Sequence, residues 1–318
     1  MRKPVTAIIP VRNGAKWIDS FTKYLALEIN EKDEVIFVDD NSSDQSFFLL
    51  ENLQLSTHNV KILRNQGTGL VSALNLAISH ATNEWIARFD IDDSYVVGRL
   101  DTQLALEDSE TALVFSDYTF LGEGVTNLGT LPSAIWDFPT RISLFSSQRT
   151  PHPIALIKRE VAIKAGMYKE EDFPAEDLGL WLRIAQLSKI TTVPVVLLKY
   201  NLRLGSVSST NYKQIKNLTK EVIRKYSLDI SEKLMTLGSL STYLSSYSQY
   251  TLSSERKVLF ILDLLKYCLF FKRNYFSLVK LFLFSLLILI QPKNFFALSR
   301  LLFQKYQRMR FRKLKFGQ

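Results

Sequence analysis

The sequence of 318 residues contains a single cysteine, Cys268, which lies in an apolar stretch. One thiol excludes a disulfide framework and a cysteine-rich metal site, and it indicates a reducing compartment. After Met1-Arg2-Lys3 the first apolar stretch ends at Arg12, and no small-residue cleavage site follows. We therefore expect no secretory signal peptide. The sequence also lacks internal repeats and low-complexity linkers.

Acidic residues are missing from the C-terminal part of the chain. No Asp or Glu follows Asp263, whereas residues 264 to 318 carry twelve Lys and Arg. Residues 1 to 263 hold 28 basic and 31 acidic side chains, so the formal net charge of +9 belongs wholly to the tail. We expect any anionic partner to bind there.

The tail also lacks an apolar run long enough to cross a bilayer. Residues 275–290 are apolar except for Ser277, Lys280 and Ser285, but a membrane-spanning helix needs about 20 such residues. Basic residues flank both ends of this segment, so the positive-inside rule gives it no preferred orientation. A re-entrant or interfacial segment fits better than a span.

Residues 294–316 have the pattern of a basic amphipathic helix, which is typical of binding to an anionic membrane surface. A helix that packs on the preceding domain and exposes a solvated basic face is the alternative. Nucleic acid is disfavoured as a partner because long apolar runs accompany the charge. The apolar positions of the predicted helix are Phe295, Leu298, Leu302, Tyr306 and Met309.

The first two hundred residues alternate β-branched runs with helical patterns, which predicts an α/β fold with a mainly parallel sheet and helices on both faces. We predict strands at 6–9, 34–38, 60–63, 85–89, 113–116, 154–157 and 193–198. Helices are predicted at about 15–28, 43–54, 68–80, 98–107, 159–165 and 177–187. The strand signal disappears beyond Asn211, which divides the chain into residues 1–210 and a helical region, 211–318.

Three carboxylates, Asp90, Asp92 and Asp93, follow the predicted strand at 85–89. Crowded anions are costly, and a bound divalent cation is the usual compensation, although solvated loop acids are the common alternative. Polar residues at 10–13 and 39–44 also follow strands. Because ligands bind at the carboxyl ends of strands in open α/β sheets, we expect the three clusters to line one pocket.

Three further features have both a local and a functional interpretation. The cluster at 39–44 could cap a helix, or its carboxylates could bind a ribose or a base edge. The segment from Asn65 to Gly69 is by itself a turn before a helix. Glu176 and Asp177 open a predicted helix, where acids commonly complement the helix dipole. A carboxylate that faced the pocket there could instead deprotonate a hydroxyl.

In this order the features resemble glycosyltransferase family 2 over roughly residues 3 to 210. The resemblance implies a GT-A type fold and an inverting single displacement from a nucleotide-sugar donor. The matching stretches are Ile9-Pro-Val-Arg-Asn-Gly14, Val38-Asp-Asp-Asn-Ser-Ser-Asp44, Asn65 to Gly69 with Ala73-Leu-Asn75, Asp90-Ile-Asp-Asp93 with Arg99-Leu100, and Glu176-Asp177 with Trp181-Leu-Arg183.

The resemblance also assigns expected roles to residues of this chain. Asp177 matches the general base, with Glu176 in support, and Asp92 and Asp93 match the ligands of Mn²⁺ or Mg²⁺. His152 and Trp181 are expected on the acceptor side. The donor, with a UDP-sugar favoured, is expected to contact Pro10, Arg12, Asn13, Asp39, Asp40, Asn65, Asp90, Arg99 and Arg203.

In such a family member the acceptor is expected to be a lipid-linked saccharide, in surface polysaccharide assembly at the cytoplasmic face of a bacterial inner membrane. Arg12 replaces a usual aromatic residue, and Asn201 and Arg203 replace a usual Arg and His. These departures leave a non-catalytic membrane-bound scaffold as an alternative, which the complete acid set argues against. A sugar nucleotidyltransferase would need a glycine-rich loop after the first strand, where only Gly14 is present.

Overall fold

The computed structural model describes residues 2–53, 59–106, 108–122, 126–132, 137–146, 150–203, 212–234, 253–271 and 292–316. Its strands are β1 (Val5–Val11), β2 (Glu34–Asp39), β3 (Val60–Arg64), β4 (Trp85–Arg88), β5 (Ser94–Tyr95), β6 (Thr111–Gly122), β7 (Thr126–Leu131), β8 (Leu156–Lys158) and β9 (Lys189–Asn201). Its helices are α1 (Ala15–Glu28), α2 (Ser46–Glu51), α3 (Leu70–His80), α4 (Arg99–Leu104), α5 (Asp137–Ser146), α6 (Arg159–Lys164), α7 (Glu176–Leu187), α8 (Tyr212–Leu234), α9 (Ser254–Phe271) and α10 (Pro292–Phe316).

The strands form one mixed sheet in the order β3-β2-β1-β4-β8-β6-β9-β5, with β7 paired to β6. The first four strands of this order are parallel to one another. Strand β8 runs antiparallel to both of its neighbours, whereas β6 and β9 are parallel. The α/β fold class is confirmed, and the parallel arrangement predicted from the sequence holds in the half that contains β1 to β4.

Helices cover both faces of the sheet, as predicted. Successive side chains of a strand point to opposite faces of the sheet, so each strand of the parallel half contributes side chains to two separate cores. One core packs against α3, α6 and α7 and contains Ile8, Ile36 and Ile86. The other packs against α1, α2 and α4 and contains Ala7, Phe37 and Ala87.

The carboxyl ends of β1, β2 and β4 meet at one edge because the three strands are parallel neighbours. Just past β2, the amide of Asp40 donates to the carbonyl of Val11 at 2.8 Å. Past β4, the amide of Phe89 donates to the carbonyl of Ile8 at 3.1 Å. The acidic segments that follow β2 and β4 are therefore held side by side.

The structure adds elements that the sequence pattern did not indicate, namely β5, β7 and α5. Strand β5 has two residues, too few to show alternation. The strand predicted at 154–157 begins later, at Leu156, because a 3₁₀ turn occupies His152–Ile154. Prolines at 151 and 153 flank the start of that turn. Such residues favour turns over an extended strand.

The C-terminal helices pack on the sheet domain. A small core joins Val258 of α9 to Ala297 and Leu301 of α10. Arg256 of α9 forms a buried ion pair with Asp117 of β6. The alternative of a helix that packs on the preceding domain therefore describes one face of α10. This helix begins at Pro292, two residues before the predicted start at 294. The predicted apolar segment 275–290 lies outside the described residues.

Another face of α10 is apolar and exposed. Its five large side chains have exposed fractions between 56% and 70%. We call these residues the exposed face of α10: Phe296, Leu302, Phe303, Tyr306 and Met309. Three of them belong to the predicted apolar stripe. Among the helices that the structure describes, none is both long enough and apolar enough to cross a membrane.

Candidate active site

A cavity of about 520 Å³ opens at the edge where the acidic segments meet. This volume lies within the usual range for small-molecule sites. Most of the predicted site residues line it. These residues are Pro10, Arg12, Asp40, Asp90, Asp92, Asp93, His152, Glu176, Asp177, Trp181 and Arg203.

Asp40 is fixed at one end of the cavity by its neighbours. Its Oδ1 accepts hydrogen bonds from Asn65 Nδ2 at 2.8 Å and from the Gly69 amide at 2.9 Å. Its Oδ2 lies 3.5 Å from a guanidinium nitrogen of the exposed Arg12. One carboxylate oxygen is thus occupied by the protein, and the other faces a cation at the cavity wall.

Asn13, Asp39 and Asn65 do not line the cavity. Asn13 adopts a left-handed conformation with φ of 51°, and its Oδ1 accepts from the Ser43 amide at 2.8 Å. Asp39 Oδ2 accepts from the Ser42 amide at 3.3 Å. Asn65 Nδ2 donates to Asp40 Oδ1 at 2.8 Å and to the Gly69 carbonyl at 3.4 Å, so it acts on the site through these two residues of the wall. These three residues, which were expected to contact the donor, instead stabilise the loops that form the cavity wall.

Asp44 of the 39–44 cluster serves two helices, because its Oδ1 accepts from the Ser46 amide at 2.9 Å, at the start of α2, where a cap was expected. Asp44 Oδ2 accepts from the Ala15 amide at 3.1 Å, and Ser46 Oγ accepts from the Gly14 amide at 2.8 Å. Both groups satisfy amides at the start of α1, where backbone donors lack partners within the helix. The cluster therefore ties α1 to the carboxyl end of β2.

Arg99 lies behind the cavity and is fully buried. Its guanidinium donates to the carbonyl of Arg88 at 2.9 Å and to that of Pro153 at 3.0 Å. It also lies 4.1 Å from the ring centroid of Phe89. The structure thus gives this predicted donor residue a supporting position, because its donors already bind backbone carbonyls and the Gln103 side chain.

Asp90, Asp92 and Asp93 can each offer one oxygen such that all three oxygens lie within 4.8 Å of one another. Burial and the charge of Asp90 raise the pKa of Asp93 well above its usual range. Carboxylate oxygens are the ligands that Mg²⁺ and Mn²⁺ prefer, and a cation would relieve their mutual repulsion. The three residues therefore fit a divalent cation.

Each carboxylate of this cluster also has a protein partner. Arg88 lies 2.5 Å from Asp90, and Arg203 forms an ion pair with Asp92. The amide of Asn201 donates to Asp93 Oδ1 at 2.8 Å. Asn201 and Arg203, two positions that depart from the family pattern, thus both contact the acid cluster. The positive charge of Arg203 partly offsets the negative charge of the acid cluster.

Glu176 and Asp177 stand at the start of α7 and face the same cavity. Burial, together with the charge of Asp177, raises the pKa of Glu176 to about 8. Burial also raises the pKa of Asp177 to about 6, while a hydrogen bond from the Leu178 amide opposes that rise. At neutral pH Asp177 is therefore largely ionised and Glu176 largely protonated.

His152 and Trp181 belong to a packed aromatic group beside these acids. His152 Nε2 lies 2.9 Å from the Tyr168 hydroxyl, and its Nδ1 lies 3.7 Å from Glu176 Oε1. Burial, aided by the charge of Arg88, lowers the pKa of His152 well below its usual range. The imidazole is neutral, so it orients its neighbours without carrying charge.

Several wall residues were missed by the sequence analysis. Arg88 is a basic residue inside the apolar strand β4, and that placement was an available signal. Tyr118 and Phe120 of β6 lie 5.1 Å apart between ring centroids, and Tyr200 of β9 lies 5.8 Å from Phe120. The pairing of β6 with β9 places Tyr200 directly opposite Phe120.

Comparisons with known proteins agree with this geometry. The profile described as "Glycosyl transferase family 2" matches residues 6–164. Amylovoran biosynthesis glycosyltransferase AmsE of Erwinia amylovora is 30% identical over 171 residues, which are 52% of this chain and 61% of that protein. UDP-Glc:alpha-D-GlcNAc-diphosphoundecaprenol beta-1,3-glucosyltransferase WfgD of Escherichia coli is 24% identical over 67% of this chain and 82% of that protein.

A solved structure of Staphylococcus aureus TarS, residues 1–349, in complex with UDP-GlcNAc aligns with a TM-score of 0.58 at 17% identity. The alignment covers 84% of this chain and 81% of that chain of residues 1–349. This likeness supports the predicted GT-A type of sheet. The family profile, which matches residues 6–164, shows that the chain is a glycosyltransferase of family 2.

Proposed function

We propose that this protein transfers one sugar, with inversion, from a nucleotide-sugar donor to a hydroxyl of a lipid-linked saccharide in bacterial surface polysaccharide synthesis. The observation that carries the proposal is that the acid cluster, Asp90 to Asp93, and the acid pair, Glu176 and Asp177, line one cavity. AmsE is named for amylovoran biosynthesis, and WfgD is named for a diphosphoundecaprenol-linked acceptor. Both names support the substrate class.

The nucleoside half of the donor is proposed to lie against Pro10, Arg12 and Asp40. Asp40 Oδ2 can accept a hydrogen bond from a base or a ribose, because Oδ1 is already occupied by Asn65 and Gly69. The guanidinium plane of Arg12 can stack on a base where family members usually have an aromatic ring. UDP is the favoured nucleotide, and the TarS complex with UDP-GlcNAc supports that choice.

The diphosphate is proposed to lie beside the acid cluster. Mn²⁺ or Mg²⁺ held by Asp92 and Asp93, with Asp90 adjacent, would supply Lewis-acid stabilisation of the charge on the leaving diphosphate. Arg203 lies at the same wall and offers a second positive charge. Because Arg203 pairs with Asp92 here, donor binding is expected to redirect its guanidinium towards the phosphates.

Asp177 is proposed as the general base. Its carboxylate removes the proton from the acceptor hydroxyl while that oxygen bonds to the anomeric carbon and the bond from this carbon to the diphosphate breaks. One displacement inverts the anomeric configuration and needs no covalent sugar–enzyme intermediate. Glu176 supports the base: because it is largely protonated at neutral pH, it does not compete for the proton.

A screen of UDP-, GDP- and TDP-sugars for release of the nucleoside diphosphate tests the proposal. We expect release with one donor class in Mn²⁺ or Mg²⁺ and none in excess EDTA. The Asp92→Ala/Asp93→Ala variant should lose release, whereas Asp19→Ala, a change at an exposed acid of α1, should retain it. Undiminished release in EDTA or in the double variant contradicts the metal-dependent mechanism.

We also propose that the exposed face of α10 holds the protein on the cytoplasmic surface of an anionic membrane. Five exposed apolar side chains share this face, and no acidic residue follows Asp263 to repel anionic lipids. Each basic residue near such a surface contributes about 1 kcal/mol. Apolar burial adds to that attraction, so the two forces act on one helix.

Flotation with vesicles of phosphatidylglycerol and of phosphatidylcholine tests this membrane contact. The Phe303→Ala/Met309→Ala variant should bind at least tenfold more weakly, since burying two such side chains is worth about 3 kcal/mol or more. Leu27→Ala/Phe48→Ala is the matched control, because these residues are similarly exposed on α1 and α2. Equal flotation of both variants with the wild type excludes the exposed face of α10 as the membrane contact.

A further inference from the structure

Trp17, in the first turn of α1, is an aromatic residue of the cavity wall that contacts two cations. Its half-buried ring lines the cavity together with Arg203 and the acid cluster. The guanidinium carbon of Arg203 lies 4.3 Å from the centroid of this ring, and Lys16 Nζ lies 4.2 Å from it. A cation over the face of an aromatic ring is attracted by the negative charge of that face. Trp17 therefore binds Arg203 directly.

The start of α1 holds the ring of Trp17 in place. The Trp17 amide donates to the Gly14 carbonyl at 2.9 Å. The amides of Gly14 and Ala15 donate in turn to Ser46 Oγ and Asp44 Oδ2. The indole also packs against the core that α1, α2 and α4 cover. The ring is therefore a fixed surface beside the acid cluster.

Contact with a ring face leaves the hydrogen-bonding edge of a guanidinium available. The N–H groups of an arginine point outwards in the plane of the guanidinium, whereas an aromatic ring is contacted by the flat face. Arg203 forms an ion pair with Asp92 through this edge. Carboxylates and phosphates both accept from a guanidinium through charged oxygens, so Arg203 can exchange one for the other without leaving the ring.

The ion pair of Arg203 with Asp92 occupies a carboxylate that is proposed to hold Mn²⁺ or Mg²⁺. Two cations at one carboxylate repel each other, so Arg203 must leave Asp92 when the site is loaded. The side chain of Arg203 is 29% exposed, and a long side chain gains rotamer freedom when it turns into solvent. The contact with Trp17 opposes that movement and keeps the guanidinium at the cavity wall.

We infer that Trp17 is a positioning residue: it keeps the guanidinium of Arg203 beside the acid cluster while this cation passes from Asp92 to the diphosphate of the donor. The inference rests on the proposed function, which places the diphosphate at this wall. Trp17 acts through Arg203 and does not itself stack on the base. Its loss should therefore weaken binding of a nucleoside diphosphate and leave binding of the nucleoside unchanged.

Trp17→Leu removes the aromatic face and keeps an apolar side chain, and Trp17→Phe restores a smaller ring. Lys16→Gln is the matched control, because Lys16 is the other cation over this ring and does not line the cavity. UDP, GDP and TDP are first screened for binding by calorimetry with Mn²⁺. The nucleotide that binds is then measured in every variant, and its nucleoside is titrated by nuclear magnetic resonance. Thermal melts report folding.

Trp17→Leu should weaken binding of the nucleoside diphosphate by about 3- to 30-fold, the range of a partly desolvated cation–π contact. Trp17→Phe should recover part of this loss, and Lys16→Gln should cause none. In a double-mutant cycle, Trp17→Leu should have no further effect once Arg203→Gln has removed the cation. Mn²⁺ alone, followed by electron paramagnetic resonance, should bind about 3- to 5-fold more tightly to Arg203→Gln than to the wild type, since no ion pair is broken at Asp92.

Fluorinated tryptophan at position 17 keeps the inference falsifiable if Trp17→Leu does not fold, because fluorine lowers the negative charge of the ring face with little change of shape. Affinity should then fall with each added fluorine. Position-17 variants that bind the nucleoside diphosphate as the wild type does overturn the inference. A loss that extends to the nucleoside or persists beside Arg203→Gln also overturns it, as does an Arg203→Gln protein with unchanged Mn²⁺ affinity. A wild type that binds none of the three nucleotides with Mn²⁺ instead overturns the proposed function.

Discussion

The assignment of Asp177 as the general base leads to a specific pH dependence. Burial raises the pKa of Asp177 to about 6, so about nine tenths of the carboxyl is ionised at pH 7 and about one tenth at pH 5. Only the ionised form can accept the acceptor's proton. We therefore expect kcat/KM for transfer to fall about tenfold for each pH unit below 6 and to level off above 7.

Asp177→Asn keeps the volume of the side chain and removes the proton acceptor. General-base assistance supplies about 10²- to 10⁴-fold in rate, so transfer should fall by that factor while the donor dissociation constant changes little. The assay follows nucleotide release and product formation from pH 5 to 9, with donor binding measured by calorimetry at each pH. The acid limb of the profile should disappear in this variant.

Glu176→Gln is the matched control, since it alters the neighbouring carboxyl without changing its volume. It should retain the acid limb at nearly the same pH, because Glu176 is protonated over the range in which Asp177 titrates and the glutamine therefore changes no charge there. The reasoning is refuted if Asp177→Asn transfers sugar at a rate close to that of the wild type while Glu176→Gln does not. That result would move the base to Glu176, and full activity in both variants would remove the acid pair from the mechanism.

Three further changes test the packing around the site. The pKa of Glu176 is higher in the folded protein than in the unfolded chain, so the stability it contributes is full below pH 4.5 and lost as pH rises to about 8. Urea titrations should thus show that the free energy of unfolding of Glu176→Gln rises relative to that of the wild type by about 1 kcal/mol per pH unit between these limits. A difference that stays constant with pH would contradict this. Arg99→Met should lower the free energy of unfolding in urea by about 3 kcal/mol, because it leaves buried carbonyls unpaired, while the affinity for the donor should persist. A variant that loses donor affinity but keeps its stability would show that Arg99 binds the donor directly. Gly179→Ala should destabilise by about 1 to 3 kcal/mol despite a better helix propensity. Its Cβ would lie 2.4 Å from Asp172 Oδ2, which Tyr226 holds by a hydrogen bond, and an unchanged melting temperature would refute this steric argument.

The sequence by itself determined the position of the acid cluster. Asp90 follows an apolar strand, and so does Asp40, and the carboxyl ends of neighbouring parallel strands must share an edge. This rule needs only the order of the elements and their hydrophobic patterns. The pocket was therefore predictable from local signals. The chemical role of each residue came from the family resemblance, because the position of a residue does not determine its role.

Tertiary structure decided which of the predicted residues reach the cavity. Arg99 and Asn65 belong to motifs that match the family, but long-range packing directs their side chains to backbone carbonyls and to Asp40. Arg88 showed a local signal as a cation in an apolar strand. Its partner Asp90 lies only two residues along the chain, whereas the antiparallel placement of β8 beside β4 is indicated by no local pattern.

The orientation of α10 was decided in the same way. Its sequence predicts a helix with apolar and basic side chains, but a helical repeat does not determine which apolar side chains find a protein partner. Contacts with α9 bury Ala297 and Leu301 and leave Phe303 exposed. Burial is a property of two surfaces in contact, and one segment of sequence specifies only one of them.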